Sequence, residues 1–312
     1  MPVAELGLGC WQFAGTFGFW SDQPREDSIR TIHAALRGGV RHFDTAQGYG
    51  NGRSEQMVGQ QLRRFRKEFP RDSLTIATKV MPMSPDKLRT SVEMSLRRLC
   101  TPYIDILYLH WPDSKTDTGP LLETMSRLKA EGTVRQIGVS NFPPLLLEKT
   151  CRNIQIDWVQ CAGSLLWIKN LAWTADFCKR HGINTAIYSP LGMGLLTGRY
   201  RTAADLPEGD ARRKLFCFQP EYEESWNHLL DRLQTYSERL SCAPGQLALA
   251  WALSQEVSAV ISGARDKTQL TENLVARQLS VPKDVLMELS SAAWRLNQDI
   301  PQEQDNIFGH AW

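Results

Sequence analysis

The sequence predicts one α/β domain folded as an eight-stranded (β/α)8 barrel of the TIM type, and three observations predict it. Eight short β-rich runs recur along the 312 residues, helical patterns lie between them, and no linker-like stretch divides the chain. The runs are ELGLGC (5–10), VRHFDTA (40–46), LTIATKV (74–80), IDILYLHW (104–111), VRQIGVSN (134–141), DWVQCAG (157–163), NTAIYSP (184–190) and AVISGAR (259–265). They do not alternate apolar with polar, as expected of parallel strands buried on both faces. At about 150 residues per domain the length would suggest two domains, but α/β barrels regularly exceed that size as one unit.

The helices follow from periodicity and capping. Ser84 suits an N-cap and Pro85 the first helical position. Leu88, Val92, Leu96 and Leu99 then repeat on one face over 84–99. Over 27–37, Ile29, Ile32 and Leu36 share a side, and Gly38 with Gly39 stops the helix. The interval from Pro190 to Ala259 is too long for one helix. Its first part, about 191–220, carries GRYRTAADLPEGDARRKLF and reads as a long functional loop. Helices are expected at about 221–240, 244–255, 266–277 and 282–296, with an irregular tail over 297–312.

Composition excludes several functional classes. With 36 Lys plus Arg against 34 Asp plus Glu, the net charge is +2, which gives no electrostatic case for a nucleic-acid partner. No run of 18 or more apolar residues is present to cross a membrane, and the opening MPVAELGLGCWQF has no basic region before an apolar stretch. A cytoplasmic protein is expected. The seven cysteines (10, 100, 151, 161, 178, 217 and 242) form no CxxC pair or zinc spacing, so reduced thiols and no metal are expected. Oligomeric state is not readable. The basic cluster Arg63, Arg64, Arg66, Lys67 and Arg71 reads as a solvated helix end complementing the macrodipole.

In such a barrel the loops after the strands form one shared mouth, so the polar residues at the strand ends are the candidates. They are Asp44 and Tyr49, Lys79, His110, Ser140 and Asn141, Gln160, Tyr188, and Gly263 with Arg265. Only Asp44 is acidic, which argues against a paired-carboxylate hydrolase, and His110 alone does not make a metal site.

Asp44, Tyr49, Lys79 and His110 from successive strand ends resemble the tetrad of the aldo-keto reductases. The resemblance extends to FDTAQGYGNGRSE, ATKV, DILYLHWPD, GVSNF, the Gln of DWVQ, YSPLGMGLLTGRY and ISGARDKTQLTEN, in the family's order along nearly the whole chain. It leans toward the branch that includes potassium-channel β subunits and bacterial general aldo/keto reductases. The chemistry can be stated from the residues. Carbonyl reduction by hydride transfer builds negative charge on oxygen, which a nearby acid neutralises. Free Tyr, with a pKa of about 10, is a reluctant acid, and a Lys cation near its oxygen would lower that value. Asp44 would hold Lys79, and His110 would orient the carbonyl.

The family resemblance also implies the cofactor site, for no GxGxxG fingerprint is present. It implies carboxamide contacts from Ser140, Asn141 and Gln160, and nicotinamide stacking on Tyr188. Ser189, Pro190, Leu191, Gly192, Met193 and Arg199 would wrap the pyrophosphate. Gly263, Arg265, Gln269, Glu272 and Asn273 would take the adenosine end, where the guanidinium of Arg265 suits a 2′-phosphate and hence NADPH. Ser262 and Gly163 depart from the family pattern, which affects pocket shape. The chain begins almost at the first strand, so the N-terminal hairpin that closes the barrel bottom in relatives is expected to be missing. Trp11, Trp20 and Trp111, with Phe308 and Trp312 of the tail, are candidate pocket walls. The implied function is NADPH-dependent reduction of a small aldehyde or ketone. Two alternatives stand beside it: a nucleotide-binding regulatory protein resembling potassium-channel β subunits, and a Schiff-base aldolase built on Lys79.

Overall fold

The structure is a computed structural model and describes residues 4–15, 23–113 and 117–300. Eight parallel strands close in sequence order: β1 (Glu5–Gly9), β2 (His42–Asp44), β3 (Thr75–Val80), β4 (Ile104–Leu109), β5 (Val134–Ser140), β6 (Trp158–Ala162), β7 (Asn184–Tyr188) and β8 (Ala259–Gly263). β8 pairs with β1 from Glu5↔Ala259 to Gly9↔Gly263, which shuts the barrel. Every expected strand is present. Parallel closure needs a helix between consecutive strands to return the chain, and the return puts all eight strand ends on one rim.

Period-two alternation divides the strand residues between barrel interior and helix layer. Ala77, Ile106 and Tyr108 pack with Trp158 inside, and Ala186, Ala259 and Ile261 form a second inner group. Phe43, Ile76, Leu107 and Val139 instead join the large outer core beneath the helices. Gly138 makes the inner packing possible: a Cβ there would lie 2.6 Å from Tyr108 Cδ1 and 2.7 Å from the Trp158 carbonyl oxygen.

The helices are α1 (Arg25–Arg37), α2 (Arg53–Arg64), α3 (Pro85–Leu99), α4 (Gly119–Ala130), α5 (Pro144–Asn153), α6 (Ile168–His181), α7 (Glu223–Arg239), α8 (Pro244–Leu253), α9 (Lys267–Ala276) and α10 (Lys283–Asn297). α1 stops where the glycines foretell, with Gly39 at φ +83°. α3 buries Leu88, Val92 and Leu99 as its periodicity requires. Ser84 has the extended backbone of an N-cap, but its hydroxyl makes no capping hydrogen bond. The basic residues Arg63 and Arg64 fall in the last turn of α2.

The segment expected as a long loop is a chain of short 3-10 turns between Gly192 and Tyr222 rather than open coil. Leu195, Leu196, Leu206, Phe216 and Cys217 are buried and tie it to the barrel flank. Residues ahead of Ala4, where a bottom hairpin would lie, and 301–312 of the tail are outside the described residues. All seven cysteines are free thiols. Among the described residues no helix is long and apolar enough to cross a membrane.

Candidate active site

Asp44 ends β2, Lys79 lies one residue before the end of β3, and both side chains are almost wholly buried. The Lys79 ammonium donates to Asp44 Oδ1 and, at 2.8 Å, to the Thr45 carbonyl. Gln160 Nε2 donates to the other Asp44 oxygen at 2.8 Å. Tyr49 follows on the β2–α2 loop, with its ring centroid 5.2 Å from Lys79 Nζ. His110 meets that ring edge-on at 5.6 Å, and Trp11 lies against it at 5.9 Å. The four residues expected as a tetrad are therefore assembled in one place.

Their electrostatics differ from the expectation in one respect. Burial, then the negative charge of Asp44, holds the Tyr49 phenol well above its ordinary value of 10.0. The ammonium of Lys79, paired with Asp44 and the Thr45 carbonyl, does not offset those two effects in the resting site. Tyr49 thus retains its proton. Burial, aided by the Lys79 charge, lowers His110 well below 6.5, so its imidazole is neutral and can hydrogen-bond an uncharged carbonyl. Burial likewise pushes the Cys10 thiol beside Asp44 upward, so it is not a thiolate.

From Tyr49 and His110 a cavity of about 630 Å³ runs across the mouth to the start of α9. Tyr188 Oη donates to Asn141 Oδ1 at 2.7 Å, and Asn141 Nδ2 donates to the His110 carbonyl at 3.1 Å and to Ser140 Oγ at 3.0 Å. Ser140, Asn141 and Tyr188 therefore form one hydrogen-bonded wall, with Gln160 beside it but turned to Asp44. Beyond them, left-handed backbone at Ser189, Gly192, Met193 and Gly194 bends the chain round the cavity. Pro190, Leu191 and Arg199 line it. Gly192 lies in the same bend but outside the lining, packed against Leu166.

At the far end Gly263, Arg265, Gln269, Glu272 and Asn273 all line the cavity. Asp266 caps α9 by accepting from the Gln269 amide at 2.9 Å, and Gln269 Oε1 accepts from the Arg265 amide at 3.0 Å. Asn273 Nδ2 ties the helix to β8 through Ser262 Oγ and the Gly263 carbonyl, both at 3.1 Å. Trp11 and Trp111 stand at the mouth, whereas Trp20, Phe308 and Trp312 are outside the described residues.

Several lining residues escape the sequence argument. Gln12 Nε2 donates to the carbonyls of Gly9 at 2.7 Å and Ala264 at 2.9 Å, joining the ends of β1 and β8 under the cavity. Arg212 reaches in from the long segment, donating to the Met193 carbonyl at 2.9 Å and held by Asp210 at 2.7 Å. The Asp-x-Arg spacing in GDARRK was its only signal. Among the described residues no three His, Cys, Asp or Glu side chains gather as metal ligands. The lining does fit a nicotinamide dinucleotide: hydrogen-bonding side chains and a flat ring near the tetrad, arginines and left-handed turns in the middle, and a guanidinium at a helix start beyond.

Comparison with known proteins agrees. The model of the aldo/keto reductase family matches residues 5–293. An NADH-specific methylglyoxal reductase of Escherichia coli K12 is 32% identical over 305 residues, covering 90% of this chain and 92% of its own. Aldo-keto reductase YhdN of Bacillus subtilis 168 is also 32% identical, covering 99% and 91%. The structure of a glycerol dehydrogenase from Gluconobacter oxydans superposes with a TM-score of 0.80 at 27% identity, over 96% of this chain and 94% of that one. The chain belongs to the aldo/keto reductase family, and it is an oxidoreductase acting on small carbonyl compounds with a nicotinamide cofactor.

Proposed function

We propose that the protein reduces an uncharged aldehyde or ketone with NADPH, with Tyr49 as the proton donor. The observation that carries this reading is one continuous cavity with Tyr49 and His110 at one end and Arg265 at the other. The cofactor, when bound, supplies hydride to the carbonyl carbon. As negative charge grows on the carbonyl oxygen, the Tyr49 phenol gives it a proton, so the alcohol forms and a phenolate remains. His110, neutral, donates a hydrogen bond that orients the oxygen. The Lys79 ammonium near the ring limits the cost of the phenolate until solvent returns its proton, and Asp44 keeps that ammonium in place.

Two features support the finer choices. Trp11, Met81 and Trp111 line the tetrad end, and an apolar, aromatic wall favours a carbonyl carrying an aryl or alkyl substituent over a charged one. At the other end Arg265 offers a planar donor fork suited to the 2′-phosphate of NADPH, and Gln269 fixes its backbone. The Escherichia coli relative is NADH-specific, so the cofactor choice is tested directly. Tryptophan fluorescence titrated with NADPH and NADH in parallel, followed by turnover of benzaldehyde with each, should show NADPH binding at least about tenfold tighter. Arg265→Ala should erase most of the difference. Tighter NADH binding, or a preference indifferent to Arg265, would overturn the NADPH assignment.

A further inference from the structure

The loop carrying Tyr49 is anchored from behind by groups that touch no part of the cavity. Glu55, in the first turn of α2, is completely buried. Its Oε1 accepts from Thr78 Oγ1 at 2.7 Å, one residue before Lys79, and its Oε2 accepts from Arg98 Nε at 2.6 Å near the end of α3. Arg98 runs beneath Gly52, whose φ is +88°, and a Cβ at that position would lie 2.6 Å from Arg98 Cδ and Nε. On the other side of Tyr49, Gln47 Nε2 donates to the Ser91 carbonyl at 3.0 Å and to Ser95 Oγ at 2.8 Å. Ser91 Oγ donates back to Gln47 Oε1 at 2.8 Å, and Arg98 Nη2 reaches Ser95 Oγ at 3.4 Å. Both flanks of Tyr49 are thus fastened to the same helix.

A carboxylate removed from water is expensive unless fully partnered, and an apolar pair of similar volume would hold two helices at least as well. α2 and α3 already meet closely at Gly59, where a Cβ would lie 2.3 Å from the Arg98 carbonyl oxygen. Packing therefore does not require an ion pair here, whereas directional placement of the 45–55 loop does. We infer that the Glu55–Arg98 pair is a positioning device for the general acid, fixing the loop so that the Tyr49 hydroxyl meets the carbonyl oxygen. This inference rests on the reading of Tyr49 as proton donor.

The test uses the full chain with saturating NADPH and benzaldehyde. Glu55→Gln keeps an acceptor for Thr78 and removes the charge facing Arg98. It should lower kcat about tenfold, leave the NADPH Kd within about twofold, and raise the solvent deuterium isotope effect as proton transfer becomes rate-limiting. Combined with Tyr49→Phe, the substitution should add almost nothing to the loss, because the group it positions is gone. Wild-type kcat in Glu55→Gln, a parallel loss of NADPH binding, or losses that multiply in the double variant would overturn the positioning role. Should Glu55→Gln fail to fold by circular dichroism, Arg98→Lys, which keeps the charge but loses the fork, decides: a kcat loss with NADPH affinity retained supports the role, and unchanged kcat overturns it. Wild-type turnover by Tyr49→Phe alone would instead remove the reading of Tyr49 on which the inference stands.

Discussion

The phenol of Tyr49 holds its proton because burial and the charge of Asp44 both penalise the phenolate. The proposed reduction uses the protonated form, which is lost only as pH rises through the folded-state value. That value lies well above 10.0, so kcat for reduction should show no alkaline fall from Tyr49 up to about pH 9. A stopped-flow profile that declines with a midpoint near neutrality would contradict this. His110 works in the opposite sense. Its folded value lies well below 6.5, so the unfolded chain takes up a proton first as pH falls, and stability drops below about pH 6.5. Urea unfolding at pH 7.5 and 5.5 should show that loss, and His110→Gln should reduce it. Asp44, Lys79 and His110 were legible because each lies at the end of a recognisable strand, and Tyr49 because it follows Asp44 by five residues on the loop beyond. The direction of the Tyr49 shift was not, since it depends on how deeply the folded barrel buries the phenol and how near it brings Asp44.

Among the elements, strands read more clearly than the segments between them. Every β-run closes into the barrel because its apolar residues have a buried face on both sides. The 191–220 stretch has no such period, so the sequence shows its length and not its packed 3-10 turns. Arg212 was missed for that reason. As a donor that is largely buried at the cavity wall, it should contribute about 1.5–3 kcal/mol to holding an anionic group there. Arg212→Ala should accordingly raise the NADPH Kd by about 10- to 100-fold, with a smaller effect on kcat at saturation. An unchanged Kd would remove Arg212 from the site. Between α2 and α3, Gly59 admits a close backbone approach, so Gly59→Ala should destabilise the protein by about 1–3 kcal/mol, seen as a lower urea midpoint. A wild-type midpoint would show that the helices separate without cost.

At the scale of the whole molecule, the chemistry depends on residues distant in sequence being brought to one rim. Asp44 and Gln160 are 116 positions apart and hydrogen-bonded, and Gln12 reaches the Ala264 carbonyl across 252 positions. Barrel closure makes these neighbours. That is why the candidate site could be read as a set of strand ends, while the partners of Gln160 and Gln12 could not be read from local sequence. The most direct test of the whole is Tyr49→Phe, which removes one oxygen from the mouth and leaves the rest of the cavity standing. With NADPH and benzaldehyde, the loss of reduced-nicotinamide absorbance should fall by at least about a hundredfold while tryptophan fluorescence reports NADPH binding within about twofold of wild type. Turnover at the wild-type rate with the phenol oxygen gone would contradict Tyr49 as the source of the proton.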